Sequence, residues 1–136
     1  MIVHQRRLLN EARLLTHLRQ TGLDIGVFAP ENHNLNEKIK IFNKASVIIG
    51  TVGSSLFTAI FASNKCKLLA CLVSETYLRL PEDNVQMLRS LAYFSLLPLI
   101  FVNSQSQDTA YGSALFITAP AIHSLKQEIE RALCSS

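Results

Sequence analysis

Apolar residues along this chain fall into two kinds of run. Some runs are short and nearly continuous: Ile25-Gly26-Val27-Phe28 within Asp24–Ala29, Val47-Ile48-Ile49 within Ser46–Gly50, Leu68 to Val73 within Cys66–Val73, and Leu97-Pro98-Leu99-Ile100-Phe101-Val102. Runs of this length predict strands, and their continuity predicts burial on both faces of a parallel sheet. Others recur at threes and fours and predict helices: Leu8, Ala12, Leu15 and Leu18 over Arg6–Thr21, Leu35, Ile39 and Phe42 after Asn34, Val85, Leu88, Leu91 and Ala92 after Pro81, and Ile122, Leu125, Ile129 and Leu133 after Thr118. Punctuation agrees with these limits. Gly22 is placed to stop the first helix, Asn34 to cap the second with Glu37 three residues on, and Thr118 to cap the last with Pro120 in its first turn. Glu82 and Asp83 sit where a helix following Pro81 favours negative charge. Asn103–Gly112 is polar and predicts a loop, Leu115-Phe116-Ile117 predicts a last short strand, and Pro98 predicts an edge or entry position. Strands alternating with helices predict one α/β domain over residues 1–136, a parallel sheet flanked by helices.

The stretch with the clearest chemistry is Ser46–Phe61. Its strand stops at Gly50, a turn with Gly50 and Gly53 follows, and Ser54 and Ser55 open a helix reaching Ala62. Glycine permits φ > 0 and close approach of a ligand to the backbone. A helix start presents free N–H groups and the positive end of the helix dipole, so the guest expected there is an anion, most often a phosphate. The candidate phosphate-binding residues are Gly50, Thr51, Gly53, Ser54 and Ser55. The same residues also fit a core strand joined to a core helix with no guest, because two glycines at this spacing are a weak signal.

Composition narrows the classes. At 136 residues the chain is long enough to bury a core; it is 49% hydrophobic and only 17% charged, which predicts surface left for a partner to cover. A net charge of +3 with no Lys/Arg block, 7% aromatics and no tryptophan argue against nucleic-acid binding. Cys66, Cys71 and Cys134 are odd in number and form no C-x-x-C, so neither a disulfide framework nor a zinc site is indicated, and a reducing, cytoplasmic compartment is the simpler home. The amino end has a basic pair but no apolar core after it, unlike a signal peptide. Ala45–Asn64 is uncharged and long enough to span a bilayer, but Gly50, Thr51, Gly53, Ser54, Ser55 and Thr58 cluster at its middle, so strand–turn–helix is the expectation rather than a transmembrane span.

Several short motifs occur in a fixed order: Arg6-Arg7-Leu8-Leu9-Asn10-Glu11, Gly22-Leu23, Ala29-Pro30-Glu31, Glu37-Lys38-Ile39-Lys40-Ile41-Phe42, Ala45 to Leu56, and Ile60-Phe61-Ala62. Together, over roughly Arg6 to Val73, they resemble the glycosyltransferase family 61 domain, also described as a capsular polysaccharide biosynthesis protein domain. The resemblance implies the Rossmann-like, nucleotide-sugar-binding carboxyl-terminal half of a GT-B glycosyltransferase, inverting and without a catalytic metal, the nucleotide sugar being substrate and no cofactor being required. By position it adds Arg6 and Asn10 to the donor side, with Glu31 as a further candidate, and sets Gly50, Gly53, Ser54 and Ser55 facing the donor's phosphates. The chain departs from the family pattern at Lys38, Val52, Phe57 and Thr58, where the family often carries Gln, His or a His-Asn pair, and it offers only Ile2-Val3-His4 for the strand before the first helix.

The resemblance leaves out the acceptor-binding half, so the expectation is an enzyme half inactive alone, completed by a second domain or chain, with self-association through uncovered apolar surface. The alternative is a non-catalytic α/β remnant that binds a nucleotide or a protein. His17 and His123 fall on predicted helices, His4 is isolated, and His33 lies in a loop beside Glu31. None of the four forms a readable nucleophile–base pair or metal cluster, so the catalytic residue is not assigned.

Overall fold

The computed structural model describes residues 2–3, 8–20, 22, 24–51, 54–74, 83–109 and 112–134. It is a mixed α/β structure in which helices cover both faces of one sheet. The strands are β1 (Ile2–Val3), β2 (Val27–Phe28), β3 (Val47–Thr51), β4 (Leu68–Ser74), β5 (Leu99–Thr109) and β6 (Gly112–Phe116), and the α-helices are α1 (Glu11–Arg19), α2 (Leu35–Lys44), α3 (Asp83–Phe94) and α4 (Ala119–Cys134). Their order across the sheet is β2-β1-β3-β4-β5-β6. The first five strands are parallel, with Gly50 registered against Val3 on one side and Cys71 on the other; β6 runs antiparallel to β5.

The continuous apolar strands are buried on both sides because alternate residues feed two separate cores. Val47, Ile49, Leu68, Ala70 and Leu72 pack under α1 and α4 with Leu14, Leu18, Ile122, Leu125 and Ile129. Ile48, Leu69, Cys71 and Val73 pack the other way, against Phe42 of α2, Leu56 and Ala59, and Val85 and Leu88 of α3. The period of two thus assigns the apolar residues of β3 and β4 to one helix layer or the other.

Local signals explain most ends. Asn34 Oδ1 accepts the Glu37 N–H at 2.9 Å, the cap expected for α2. Thr118 Oγ1 accepts the Ala121 N–H at 3.3 Å at the start of α4. Gly22 takes φ +83° after α1, a conformation only glycine adopts cheaply. The end of α3 is a Schellman motif without its glycine: Leu97 N–H donates to Ala92 O, Leu96 N–H donates to Tyr93 O, and Leu96 itself has φ 56°.

Four expectations are corrected. The segment after Gly53 is not an α-helix over Ser54–Ala62 but a 3-10 helix, Ser54–Phe61. Its buried residues Leu56 and Ala59 are three apart, the spacing that 3-10 geometry stacks on one line. The first helix starts at Glu11 rather than Arg6, because Leu8 bridges to Leu115 and Leu9 N–H donates to Leu115 O at 2.9 Å. Strand β2 is only Val27–Phe28; just before it, the Ile25 carbonyl accepts from the Arg19 guanidinium at 3.2 Å instead of a neighbouring strand. Finally, Asn103–Thr109 is strand, not loop, since β5 runs past the end of β4 and pairs with β6 from Gln105↔Phe116 to Thr109↔Gly112. Pro81 and Glu82 lie outside the described residues, and α3 is described from Asp83.

Candidate functional site

The strand order changes direction at β1. The chain leaves β1 through α1 to β2 on one side, then returns through α2 to β3 on the other. At such a reversal the two connections diverge on opposite faces, leaving a crevice outside the carboxyl ends of the adjacent strands. Here those ends are Val3 and Gly50–Thr51. The last described residue of β3, Thr51, which precedes Val52 and Gly53 in the sequence, therefore lies at this crevice.

Its residues divide as follows. Gly50 is not a turn residue: it is buried, lies inside β3 with a ladder partner on each side, and lacks positive φ, so the strand continues through Thr51. Thr51 is 4% exposed and has an interaction partner. Val52 and Gly53 lie outside the described residues, as does Arg6. Ser54 and Ser55 form the first turn of the 3-10 helix. This helix is held by Leu56 and Ala59 in the α2/α3 core and by Ser63 beyond its end, whose hydroxyl donates to Asn43 O at 2.8 Å and accepts the Lys65 N–H at 3.2 Å. The amino end of the 3-10 helix is thereby fixed close behind β3.

Three hydroxyl residues are the buried polar groups of the described structure: Thr51, Ser74 and Ser104. All three lie toward the carboxyl edge, on adjacent strands β3, β4 and β5, with Ser74 registered against Ser104. Thr51 shares the parity of Ile49, Ser74 of Leu72 and Ser104 of Val102, so all three lie on the α1/α4 side, Ser74 level with Ser104 and Thr51 level with Leu72, two residues short of them. Ser104 Oγ donates to Val102 O at 3.4 Å. Sequence reasoning missed both: Ser74 closes an apolar run and reads as a strand end, and Ser104 follows Asn103 in the polar stretch read as a loop. The only signal was polarity at the strand position two beyond a buried residue.

Asn10 stands at the amino end of α1 but does not cap it. Its amide faces Ile117 instead: Nδ2 donates to Ile117 O at 2.6 Å and Oδ1 accepts the Ile117 N–H at 3.1 Å. The entrance to α1 is thus tied to the junction of β6 and α4, across 107 positions of sequence. The first N–H groups of α1 have no side-chain cap from Asn10. Glu31 is exposed, in the 3-10 turn Pro30–Asn32 beyond β2, on the far side of β1 from Thr51. Two strand spacings, about 10 Å, separate the lines of β2 and β3.

The histidines have local tasks. His33 stacks on Phe28, ring centroids 4.9 Å apart, and its Nδ1 lies 2.8 Å from Glu37 Oε2; that hydrogen bond is the main reason the Glu37 carboxyl titrates below its ordinary value. His17 Nδ1 donates to Arg13 O at 2.9 Å, and His123 Nε2 lies 3.2 Å from the Gln127 amide nitrogen. His4 lies outside the described residues. Burial pushes the Cys71 thiol up to about 12 and raises Cys66 as well. Among the described residues no cluster of three or more His, Cys, Asp or Glu could hold a metal ion, and no helix is long and apolar enough to cross a membrane.

Residues 3–69, just under half of the chain, match the family model of glycosyltransferase 61. The matched span runs from β1 into β4 and so contains the reversal, the end of β3 and the 3-10 helix. No curated protein matches the chain.

Proposed function

We propose that this chain, glycosyltransferase 61-like over residues 3–69, is the donor side of a sugar-transferring enzyme and binds the diphosphate of a nucleotide sugar outside the carboxyl ends of β1 and β3. The observation that carries the reading is where β3 ends: Thr51, directly ahead of Val52 and Gly53 in the sequence, lies at the point where the strand order reverses. Thr51, Gly53, Ser54 and Ser55 supply backbone N–H and hydroxyl donors to the phosphates, with Gly50 at the base of the turn and the start of α1 adding the positive end of a second helix dipole. Arg6 would neutralise phosphate charge, as the motif position it occupies suggests. Glu31, an exposed carboxylate beyond β2, is an acceptor for ribose or sugar hydroxyls. In this reading the fold is the Rossmann-like carboxyl-terminal half of a GT-B enzyme, the acceptor is a glycan such as a capsular polysaccharide, and the compartment is cytoplasmic.

The isolated chain transfers no sugar. Group transfer between two molecules needs both held in register, worth as much as ~7–11 kcal/mol, and a donor half positions only one. The positions where the family often carries polar groups are Val52, Phe57 and Thr58, and Phe57 packs against the α2/α3 core rather than serving the crevice. Ile60, Met87, Tyr93, Phe94 and Leu96 are all more than half exposed on the 3-10 helix and at α3, apolar surface suited to a covering domain or a second copy. Phe57 is also the observation that favours a second reading, a remnant that binds the nucleotide without chemistry.

The test is a titration of UDP, GDP and their sugars into isotope-labelled protein. The reading expects amide shifts at Gly50, Thr51, Ser54 and Ser55; shifts confined to other regions, or none at millimolar ligand, overturn it. Acceptor-dependent nucleotide release by the purified chain overturns the claim of inactivity.

A further inference from the structure

Helix α3 carries two apolar lines. Val85, Leu88 and Ala92 face the core. Met87, Leu91 and Phe94 recur at four and three residues on another side of the helix, where residues so spaced are neighbours. Between this second line and the 3-10 helix runs an open groove of about 690 Å³. Phe57 and Ile60 form its wall on the 3-10 helix, and Ser90 is the smallest residue of its wall on α3. Tyr93 extends the apolar surface, its ring edge-on to Phe94 with centroids 5.4 Å apart, and Leu96 follows.

Area and chemistry decide what covers this face. Ile60, Met87, Tyr93, Phe94 and Leu96 are 56% to 89% exposed. An aromatic side chain can bury ~150–250 Å² and an aliphatic one about half of that, so the five present on the order of 500 Å² to solvent. Two such patches face to face reach the roughly 1,000 Å² that a specific interface needs. None of the described lining residues of the groove is charged. Arg89 is turned onto the Phe101 ring, 5.1 Å from its centroid. Nucleic acid, an acidic peptide or an anionic lipid headgroup therefore finds little to pair with here. Helix α3 also runs back from the carboxyl end of β4 to the start of β5, which places Phe94 and Leu96 toward the amino edge of the sheet. A domain seated over the crevice beyond β1 and β3 stands at the other edge.

We propose that the occupant is a second copy of this chain, joined about a twofold axis that passes between Ser90 and Leu91 and seats Phe94 of each copy in the groove of the other. A twofold interface must be complementary to itself, and this surface carries a projecting aromatic and an apolar groove side by side. The register follows from the spacing. Met87 and Phe94 lie two helical turns apart, about 10 Å, at equal distances from the proposed axis. Antiparallel α3 helices therefore bring each Phe94 over Met87 and Ile60 of the other copy, while Ser90 lets the two backbones approach at the centre. The dimer stands whether or not the chain binds a nucleotide, because the axis lies away from the donor crevice.

The experiment is sedimentation velocity of the full chain over a range of concentrations, which should show a monomer–dimer equilibrium in the micromolar range. Phe94→Glu and Met87→Glu, both at exposed positions, should each weaken the dimer about tenfold or more. Leu35→Glu, at an exposed apolar residue that opens α2, should leave it unchanged. A second measurement reads the register without a charge in the interface. In a Cys134→Ser background, a short bismaleimide should link Ser90→Cys copy to copy and should not link Leu35→Cys. A monomer at every concentration, equal weakening by Leu35→Glu, or equal cross-linking at residues 35 and 90 would each overturn the proposal. So would a chain that stays monomeric and instead floats with neutral phosphatidylcholine vesicles, which would give the face to a membrane.

Discussion

Removing the Asn10 side chain tests whether the ends of the chain are tied together as described. In Asn10→Ala the Ile117 N–H and C=O both lose their partner, at 3.1 and 2.6 Å, in a partly buried setting. A satisfied hydrogen bond contributes about 1 kcal/mol net, whereas leaving a buried group unsatisfied costs about 1–3 kcal/mol. Ile117 itself is fully buried, but water reaches the half-buried Asn10. Discounting for that access, the expected loss is about 2–3 kcal/mol. Asn10→Asp separates the two bonds. It keeps the acceptor for the Ile117 N–H but sets a carboxylate oxygen against the Ile117 carbonyl, so it should be no more stable than the alanine variant. Urea denaturation followed by circular dichroism measures both. A loss below 0.5 kcal/mol in Asn10→Ala would refute the reasoning, and so would an aspartate variant as stable as the parent.

Other outcomes follow from single positions. Gly22→Ala should cost about 1 kcal/mol, because its φ of +83° strains any Cβ even though the space around it is open, while Leu96→Gly should gain a few tenths to about 1 kcal/mol by relieving φ 56° at a residue 89% exposed; thermal melts showing the same sign for both would contradict this. Cys71 should make stability fall at alkaline pH: its thiol titrates near 9.0 unfolded and at about 12 folded, so the unfolded chain loses its proton first, and the stability present below pH 9 is lost as pH rises toward 12. Cys71→Ala should flatten that part of the stability–pH curve, and a curve unchanged by the substitution would exclude the thiol as its cause. In the native state a thiol reagent should modify exposed Cys134 long before buried Cys66 and Cys71; equal rates for all three would show that the two cores open readily.

The sequence revealed the sheet's centre better than its borders. Val47–Ile49 and Leu68–Val73 were legible because burial on both faces demands continuous apolar residues, and α2 and α4 because a cap and a period of three to four coincide. The strand in Asn103–Thr109 was hidden because it runs beyond the layered core and pairs with β6 through backbone, which leaves no apolar period to read. The 3-10 helix was hidden for a different reason: Leu56, Ala59 and Ala62 suit either helix type, and packing against α2 and α3 selects the tighter one. At the site, Gly50 misled as a turn signal, because it continues β3 as a buried strand residue, and Gly53 lies outside the described residues. The partner of Asn10 lies at the far end of the chain, and Thr51, Ser74 and Ser104 come to the same side of the sheet only once three strands are registered side by side.

The central claim, a diphosphate seated at the turn leaving β3, is tested most directly by equilibrium dialysis of radiolabelled UDP and GDP against the parent chain and Gly53→Val. The parent should bind at least one nucleotide weakly, and Gly53→Val should lose about tenfold or more in affinity, because its Cβ obstructs the approach of phosphate to the backbone. Undiminished binding by a folded Gly53→Val variant, or no binding by the parent at millimolar nucleotide, would contradict the account.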